Sequence, residues 1–274
     1  MKVAYLGPAG TFSEEAARAA PRVAGADLMP EPTIADAIVA VAEGRADEAI
    51  VPIENSIEGS VAQTLDTLAD REDVTIVGEL VLPVSHLLVA ARELALADVR
   101  RVISHPQPLG QCAHWLREQV PGAELVAASS TADAIREVTA ARSEPWAAIG
   151  TRRAAELYDG VILAEGIEDE AGNATRFVWV AAAGAEAEGA AKTSITFWGA
   201  GDDTPGWLVR CLAEFSERGV NLTKIESRPL RGKLGHYRFY VDLDLGLDAP
   251  QAEAAVAALR GHCEDVRVLG SYPV

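Results

Sequence analysis

The sequence predicts an α/β fold in two parts: a two-lobed portion over residues 1–182 and a smaller βαββαβ portion over residues 192–274, joined by a linker at 183–191. Three features predict it. Short apolar runs alternate with helix-like stretches through the first 182 residues, the pattern of strands covered by helices. Residues 181–191 are Ala, Gly and Glu only, so they carry no large apolar anchor. After them the apolar period changes, and six elements follow in the order of a ferredoxin-like sandwich. A hydrophobic content of 49 % argues against disorder, and 274 residues suffice for one large or two medium cores.

The 24 Lys and Arg against 41 Asp and Glu give a formal charge of -17. A field of that sign repels nucleic acid and anionic membranes and offers no long-range attraction to a small anion. Any anion site must then be local, built from one or two cationic side chains and backbone N–H groups at helix starts. Cys112, Cys211 and Cys263 are widely spaced and without a CxxC pair, which suits apolar filler in a reducing compartment better than a disulfide frame or a zinc site. Met1-Lys2 runs straight into residues 3–6 with no secretory apolar region, and no window reaches 18 uninterrupted apolar residues. A cytoplasmic protein is expected.

Residues 3–6 form the first expected strand, which breaks at Gly7-Pro8-Ala9-Gly10-Thr11-Phe12-Ser13 before a helix over 14–20. Strand, glycine turn and helix start can aim N–H groups at an anion, although the turn has neither GxGxxG nor GxxxxGK[ST]. Thr11 and Ser13 suit either a helix cap or ligand contact, with Phe12 tucked into the core. A helix at 34–41 and a strand at 49–53 then deliver Glu54, Asn55 and Ser56. Asn55 and Ser56 suit a cap for the helix expected over 61–68 or, as a second polar loop at a strand end, one wall of a cleft. Residues 74–84 and 86–90 read as extended segments crossing into a second lobe, Glu79 being either surface alternation or a charge facing the cleft.

The strand at 102–104 ends in Ser104-His105-Pro106, and one helix is expected over 109–120. Strand 125–128, a cap at 129–131, helix 132–141, strand 146–150, helix 152–158 and strand 161–163 close the lobe before the acidic loop 165–172. Asn173-Ala174-Thr175-Arg176-Phe177 then heads the apolar run 178–181. These five residues supply an amide, a hydroxyl, a fixed cation and an aromatic face, a set suited to a small anion bearing an oxygen. The plainer alternative is a strand edge, with Thr175 there for β-propensity and Arg176 in water. Beyond the linker come strand 193–198, helix 206–218, strand 222–228, a turn at 232–235, strand 236–243, helix 251–261 and strand 266–270. So small a sandwich leaves a sheet edge or face for a partner copy to cover.

Together these segments resemble one family, the monofunctional prephenate dehydratases. The resemblance rests on the stretch at 7–13, Val-Pro-Ile-Glu-Asn-Ser at 51–56 with Gly59, Ser104-His105-Pro106-Gln107 with Leu109, Gln111 and Cys112, Ser130-Thr131-Ala132-Asp133-Ala134, Asn173 with Thr175-Arg176-Phe177, and Asn221-Leu222-Thr223-Lys224-Ile225-Glu226-Ser227-Arg228-Pro229. It covers essentially the whole chain in order. It implies a catalytic part of type II periplasmic-binding-protein-like topology with lobes at about 1–78 plus 173–182 and about 79–172, then an ACT regulatory domain at 192–274. It also implies conversion of prephenate to phenylpyruvate, water and carbon dioxide in phenylalanine biosynthesis, without metal or organic cofactor. Phenylalanine, or another aromatic amino acid, is the implied effector, bound between ACT domains of a homodimer or homotetramer. Gly206, Trp207, Leu208, Asn221, Leu222, Glu226, Ser227, Arg228 and Pro229 are its implied contacts. Two departures stand out: Gly206-Trp207-Leu208 where the motif usually begins Gly-Ala-Leu, and Pro108 where Ala is more frequent.

Expelling hydroxide from prephenate requires a donor for the charge developing on the leaving oxygen. Thr175 is expected to be that donor, with Asn55, Ser56 and Thr11 orienting it or the substrate. Arg176 offers a planar fork for the pyruvyl carboxylate, which survives the reaction. Phe177 serves as an apolar wall or as core. Glu54 suits pairing with a cation better than proton abstraction, because loss of carbon dioxide drives aromatisation. Ser13, Ser104 and His105 complete the expected substrate contacts, His105 either donating to the hydroxyl or shaping the loop. Two other functions suit a two-lobed cleft: an arogenate dehydratase and a solute-binding protein without catalysis.

Overall fold

The computed structural model describes residues 1–199, 201–230 and 234–274; residues 232 and 233 of the turn expected at 232–235 lie outside the described residues. In chain order the elements are β1 (Lys2–Leu6), α1 (Phe12–Ala19), β2 (Asp27–Glu31), α2 (Ile34–Ala42), β3 (Glu48–Asn55), β4 (Gly59–Ser60), α3 (Ala62–Ala69), β5 (Val74–Pro83), β6 (Leu87–Ala90), β7 (Arg101–Ser104), α4 (Pro106–Gln111), α5 (Ala113–Gln119) and β8 (Glu124–Ala127). Then follow α6 (Thr131–Ala140), β9 (Trp146–Gly150), α7 (Arg152–Leu157), β10 (Val161–Glu165), β11 (Ala174–Ala182), β12 (Lys192–Trp198), α8 (Trp207–Ser216), β13 (Leu222–Pro229), β14 (Tyr237–Leu243), α9 (Pro250–Leu259) and β15 (Asp265–Tyr272). The chain forms two compact units, one of residues 1–37, 54–59 and 81–176, the other of residues 38–53, 60–80 and 177–274.

The first unit holds a five-stranded sheet in the order β10-β6-β9-β7-β8, and β1 paired in parallel with β2. Side chains alternate across a strand, so an apolar run without polar breaks must be covered on both faces. In β6, Leu87 and Val89 pack with Ile103, Ala148 and the inner faces of α6 and α7. Leu88 packs on the other face with Val102, Ala147, Ile149 and Leu116 of α5. Gly10 in the loop after β1 has φ +90°, and a Cβ there would stand 2.9 Å from the Ala154 side chain, so only glycine fits.

In the second unit the strands run β13-β14-β12-β15-β5-β11-β3. The residues after 192 are β12-α8-β13-β14-α9-β15, with β12 antiparallel to β14 and β15, and β13 antiparallel to β14. Helices α8 and α9 bury Trp207, Cys211, Phe215, Ala255 and Leu259 against Ile195, Phe197 and Val241. The terminal strand β13 alternates half-buried with exposed residues along its length, as a strand covered on one face does.

Three expectations change. The helix expected over 109–120 is two helices broken at Cys112, whose φ of -112° and ψ of 13° leave helical geometry. Pro106 starts α4 at a position where the missing N–H costs nothing, and the Asp169 carboxylate accepts from His114 and Trp115 N–H at 2.8 and 2.9 Å, capping a separate α5. Strand β2 carries Pro30 and has no clear alternation, which hid it in the sequence; it ends the strand order, where proline is tolerated. Glu79 is not surface alternation: its carboxylate meets Lys192 Nζ at 2.6 Å, both side chains buried or nearly so.

Candidate active site

Strands β3 and β11 carry the cluster. The Asn55 amide nitrogen donates to Asn173 Oδ1 at 2.8 Å, Thr175 Oγ1 at 3.0 Å and the Ala174 carbonyl at 3.2 Å. Its own oxygen accepts from Ile57 and Glu58 N–H, both at 3.0 Å. Asn55 therefore does not cap the following helix as expected: the residue at the cap of α3 is Val61, and no side chain bonds there. Nor does Ser56, whose N–H donates to the Ala174 carbonyl at 2.9 Å while its hydroxyl accepts from Ala174 N–H at 3.0 Å. This clamp fixes the backbone one residue before Thr175.

The consequence for Thr175 is directional. Its oxygen accepts from Asn55, so its proton is free to point at a ligand, and the side chain is buried at 9 % exposure. Asn173, 3 % exposed, lies on the same side of the strand two residues earlier. Arg176 follows the alternation to the opposite side, where its Nε lies 3.7 Å from the Glu54 carboxylate. Glu54 thus meets a cation, as its position near a guanidinium suggests. Adjacent strand residues face apart, so Thr175 and Arg176 project to opposite sides of β11. Phe177 is 1 % exposed and belongs to the core.

The remaining expected residues make hydrogen bonds or packing contacts of their own. Thr11 caps α1, accepting from Glu14 N–H at 3.4 Å and donating to the Leu6 carbonyl at 3.0 Å. Ser13 is buried in α1. The Gly10 N–H is taken by the buried Glu14 carboxylate at 2.6 Å, and the Gly10 carbonyl accepts from Thr151 Oγ1 at 2.7 Å. Burial pushes the Glu14 carboxyl up, but Gly10 N–H and the Arg18 and Arg153 guanidinium groups outweigh it and hold the pKa below the usual range. Ser104 is fully buried and donates to the Ile149 carbonyl at 2.8 Å. His105 is exposed at the cap of α4, its Nδ1 accepting from Gln107 N–H at 3.3 Å. Burial raises the Cys112 thiol to about 12, which makes it packing rather than a nucleophile.

Two residues outside the expected set join the cluster. Gln111 Oε1 lies 2.8 Å from His86 Nε2 and 3.4 Å from the Asn173 amide nitrogen, while its own amide nitrogen donates to Glu58 at 3.1 Å. His86 is 1 % exposed, and its ring meets Phe12 edge-on at 5.7 Å. A cavity of about 560 Å³ opens beside Gln111, lined also by Glu58, Gln107, Glu168, Asp169 and Glu170. Among the described residues no group of three His, Cys, Asp or Glu side chains is arranged to hold a metal, and no helix is long and apolar enough to cross a membrane.

Five of the residues expected to bind an effector line two separate cavities. Gly206, Trp207 and Leu208 border one of about 220 Å³ with Tyr237 and Phe239. Arg228 and Pro229 border another of about 220 Å³ with Asp66, Asp70, Arg238 and Tyr240. Trp207 is not on the surface: it is 4 % exposed, donates Nε1–H to the His262 carbonyl at 2.7 Å and leans on Phe197 and Phe239. Glu226 accepts from Ser60 Oγ at 3.2 Å, Arg228 binds Asp66 through two bonds of 2.6 and 2.8 Å, and the Asn221 carbonyl accepts from Asp244 N–H. Leu222 packs partly on the core, and Ser227 is exposed.

Comparison with known proteins adds to this geometry. The prephenate dehydratase family model matches residues 3–185. A prephenate dehydratase of Mycolicibacterium vanbaalenii is 42 % identical over 287 residues, covering 99 % of this chain and 90 % of that one. The structure of prephenate dehydratase from Arthrobacter aurescens in complex with L-Phe aligns with a TM-score of 0.91 at 37 % identity, over 100 % of this chain and 90 % of that one. The structure of GqqA, described as a novel type of quorum quenching acylase, aligns with a TM-score of 0.88 at 31 % identity, over 100 % of this chain and 98 % of that one. By family model and by identity along its whole length, the chain belongs to the prephenate dehydratase family.

Proposed function

We infer that this chain converts prephenate to phenylpyruvate, water and carbon dioxide, with Thr175 donating a hydrogen bond to the departing hydroxyl. The observation that carries the reading is the Asn55 amide on Thr175 Oγ1, which leaves the threonine proton free to be donated to a ligand. A threonine hydroxyl is too weak an acid to protonate freely, so its work is a bond that strengthens as the C–O bond lengthens. The electron pair of the ring carboxylate's C–C bond becomes ring π density as carbon dioxide leaves, so no base is required, and the departing hydroxide takes a proton from solvent to become water. Asn55 and Ser56 hold Thr175 and the backbone before it. Thr11 and Ser13 shape the first loop, and Ser104 and His105 position the loop before α4. Arg176 acts from the other face through Glu54, supplying positive charge and fixing β3 beside β11. Incubating the protein with prephenate and following phenylpyruvate tests the reading; no product would end it. Arogenate, which has an amino group in place of the keto oxygen, is the alternative substrate, and relative turnover separates the two.

An amide-hydrolysing role has one specific point in its favour, the likeness to GqqA. A hydroxyl nucleophile needs a base to take its proton. Among the described residues the hydrogen-bond partner of the Thr175 hydroxyl is an amide N–H, so the geometry favours a donor.

The same reading divides the chain into a catalytic part at 1–182 of type II periplasmic-binding-protein-like topology, a linker at 183–191 and an ACT domain at 192–274. The order β13-β14-β12-β15 suits a ferredoxin-like ACT fold, and the family model stops at residue 185. An aromatic amino acid, L-phenylalanine foremost, is the effector. The Gly206–Leu208 and Arg228–Pro229 groups line different cavities of one chain, which suits a site completed between copies in a homodimer or homotetramer. A cytoplasmic location accords with the reducing chemistry suggested by three free thiols.

A further inference from the structure

We propose that His86 is a positioning residue of the catalytic cluster: as the Nε2–H tautomer it fixes the Gln111 amide, and through Asn173 and Asn55 it leaves the Thr175 proton available to substrate. The proposal rests on Thr175 being the donor to the leaving hydroxyl.

The argument starts at Glu58. A carboxylate accepts hydrogen bonds and does not donate, so the Gln111 atom facing Glu58 at 3.1 Å must be the amide nitrogen. That places Gln111 Oε1 toward His86 and Asn173. An amide oxygen only accepts, so His86 Nε2, 2.8 Å away, must carry a proton. Asn173 then presents its NH₂ to the same oxygen and its own oxygen to Asn55. The Asn55 oxygen is already committed to Ile57 and Glu58 N–H, so its NH₂ faces Asn173 and Thr175. Each amide has one orientation that satisfies all its neighbours, and Thr175 becomes an acceptor inside the network.

His86 closes this network from within the fold. Its backbone N–H donates to Glu168 at 2.8 Å, its carbonyl accepts from Ile167 N–H, and Phe12 abuts the ring. Burial pushes its pKa down, opposed by the Gln111 bond and by Glu168, so the imidazole is held neutral. Nδ1 is buried with no partner among the described residues, which agrees with a bare nitrogen there. A wrongly turned Gln111 would oppose an N–H to the Asn173 NH₂, and the misfit would pass through Asn55 to Thr175.

Glutamine carries its amide nitrogen near the position of Nε2, whereas asparagine reproduces only Nδ1. His86→Gln should therefore keep kcat within about 3-fold, while His86→Asn and His86→Leu lose about 10- to 100-fold in kcat with KM little changed, as expected for misplaced groups. Imidazole ¹⁵N spectra of the unmodified protein should show His86 protonated at Nε2 and bare at Nδ1. Wild-type kcat in His86→Leu, a loss confined to KM, or an Nδ1–H tautomer would overturn the proposal. Should the leucine variant fail to fold, the glutamine variant and the spectrum still decide. Thr175→Ala run beside them separates two failures: wild-type turnover there removes the donor itself, whereas an inactive Thr175→Ala with a fully active His86→Leu removes only the histidine's role.

Discussion

At the scale of single residues, function depends on which way a proton points. Thr175 accepts from Asn55, so Asn55→Asp would offer it an acceptor instead of a donor and turn its proton inward. That change should cost about 10²-fold in kcat, the range seen when a transition-state donor is lost, and steady-state kinetics with an unaltered circular dichroism spectrum would check it. Glu14 makes a second prediction, concerning stability. Its carboxyl is held below the ordinary range in the folded state, so its stabilisation is complete above the unfolded pKa and is lost as pH falls through the folded one. Glu14→Gln should cost about 1–3 kcal/mol near neutrality and flatten the acid limb of the melting temperature against pH; an unchanged limb would count against it. Much of this was legible in the residues: Asn55 and Thr175 sit in short polar stretches at strand ends. His86 was not, because it reads as the start of an apolar strand and its meaning lies in a contact with Gln111, 25 positions away. The direction of Arg176 needed the fold for a simpler reason: it is adjacent to Thr175 in sequence, and strand alternation turns it to the other side.

At the scale of elements, β13 and its neighbours are tied to α3, the helix after the Asn55 loop. Lys224 Nζ and Glu226 hold Ser60 Oγ, Arg228 takes both oxygens of Asp66, and Arg238 meets Asp70 at 2.7 Å. Arg267 donates to the Ala69 carbonyl at 2.9 Å. A shift of β13 on effector binding would thus pull on the segment that leads to Asn55, which gives allostery a physical route. Ser60→Ala, at a residue that lines neither cavity, should leave the calorimetric heat of phenylalanine binding in place while weakening inhibition several-fold, since coupling energies are of order 1–3 kcal/mol; full inhibition would exclude this route. Element type was readable wherever period and punctuation agreed, as in β6, α6 and β12. It failed at Cys112, because the cap that splits the helix comes from Asp169, and at β2, because proline on a terminal strand leaves no alternation to read.

For the whole molecule, the charge of -17 gives a small anion no long-range attraction, so binding depends on groups local to the site. The terminal strand β13 leaves Ile225 52 % exposed, and α8 leaves Val209 70 % exposed, surfaces a second copy would cover. Light scattering after gel filtration should report a homodimer or homotetramer, and Ile225→Lys should shift it toward monomer; an unchanged mass would place the interface elsewhere. The change of rhythm after the Ala-Gly-Glu stretch was plain from composition, but the two compact units do not divide there, and the passage of α2, β3, β5 and β11 from one unit to the other depends on pairings distant in sequence. The central claim is that Thr175 donates to the leaving hydroxyl of prephenate. Single-turnover formation of phenylpyruvate by the unmodified protein and by Thr175→Ala, at saturating prephenate, tests it most directly. A rate lowered about 10²-fold or more with prephenate still bound is the expected result, and equal rates for the two proteins would contradict it.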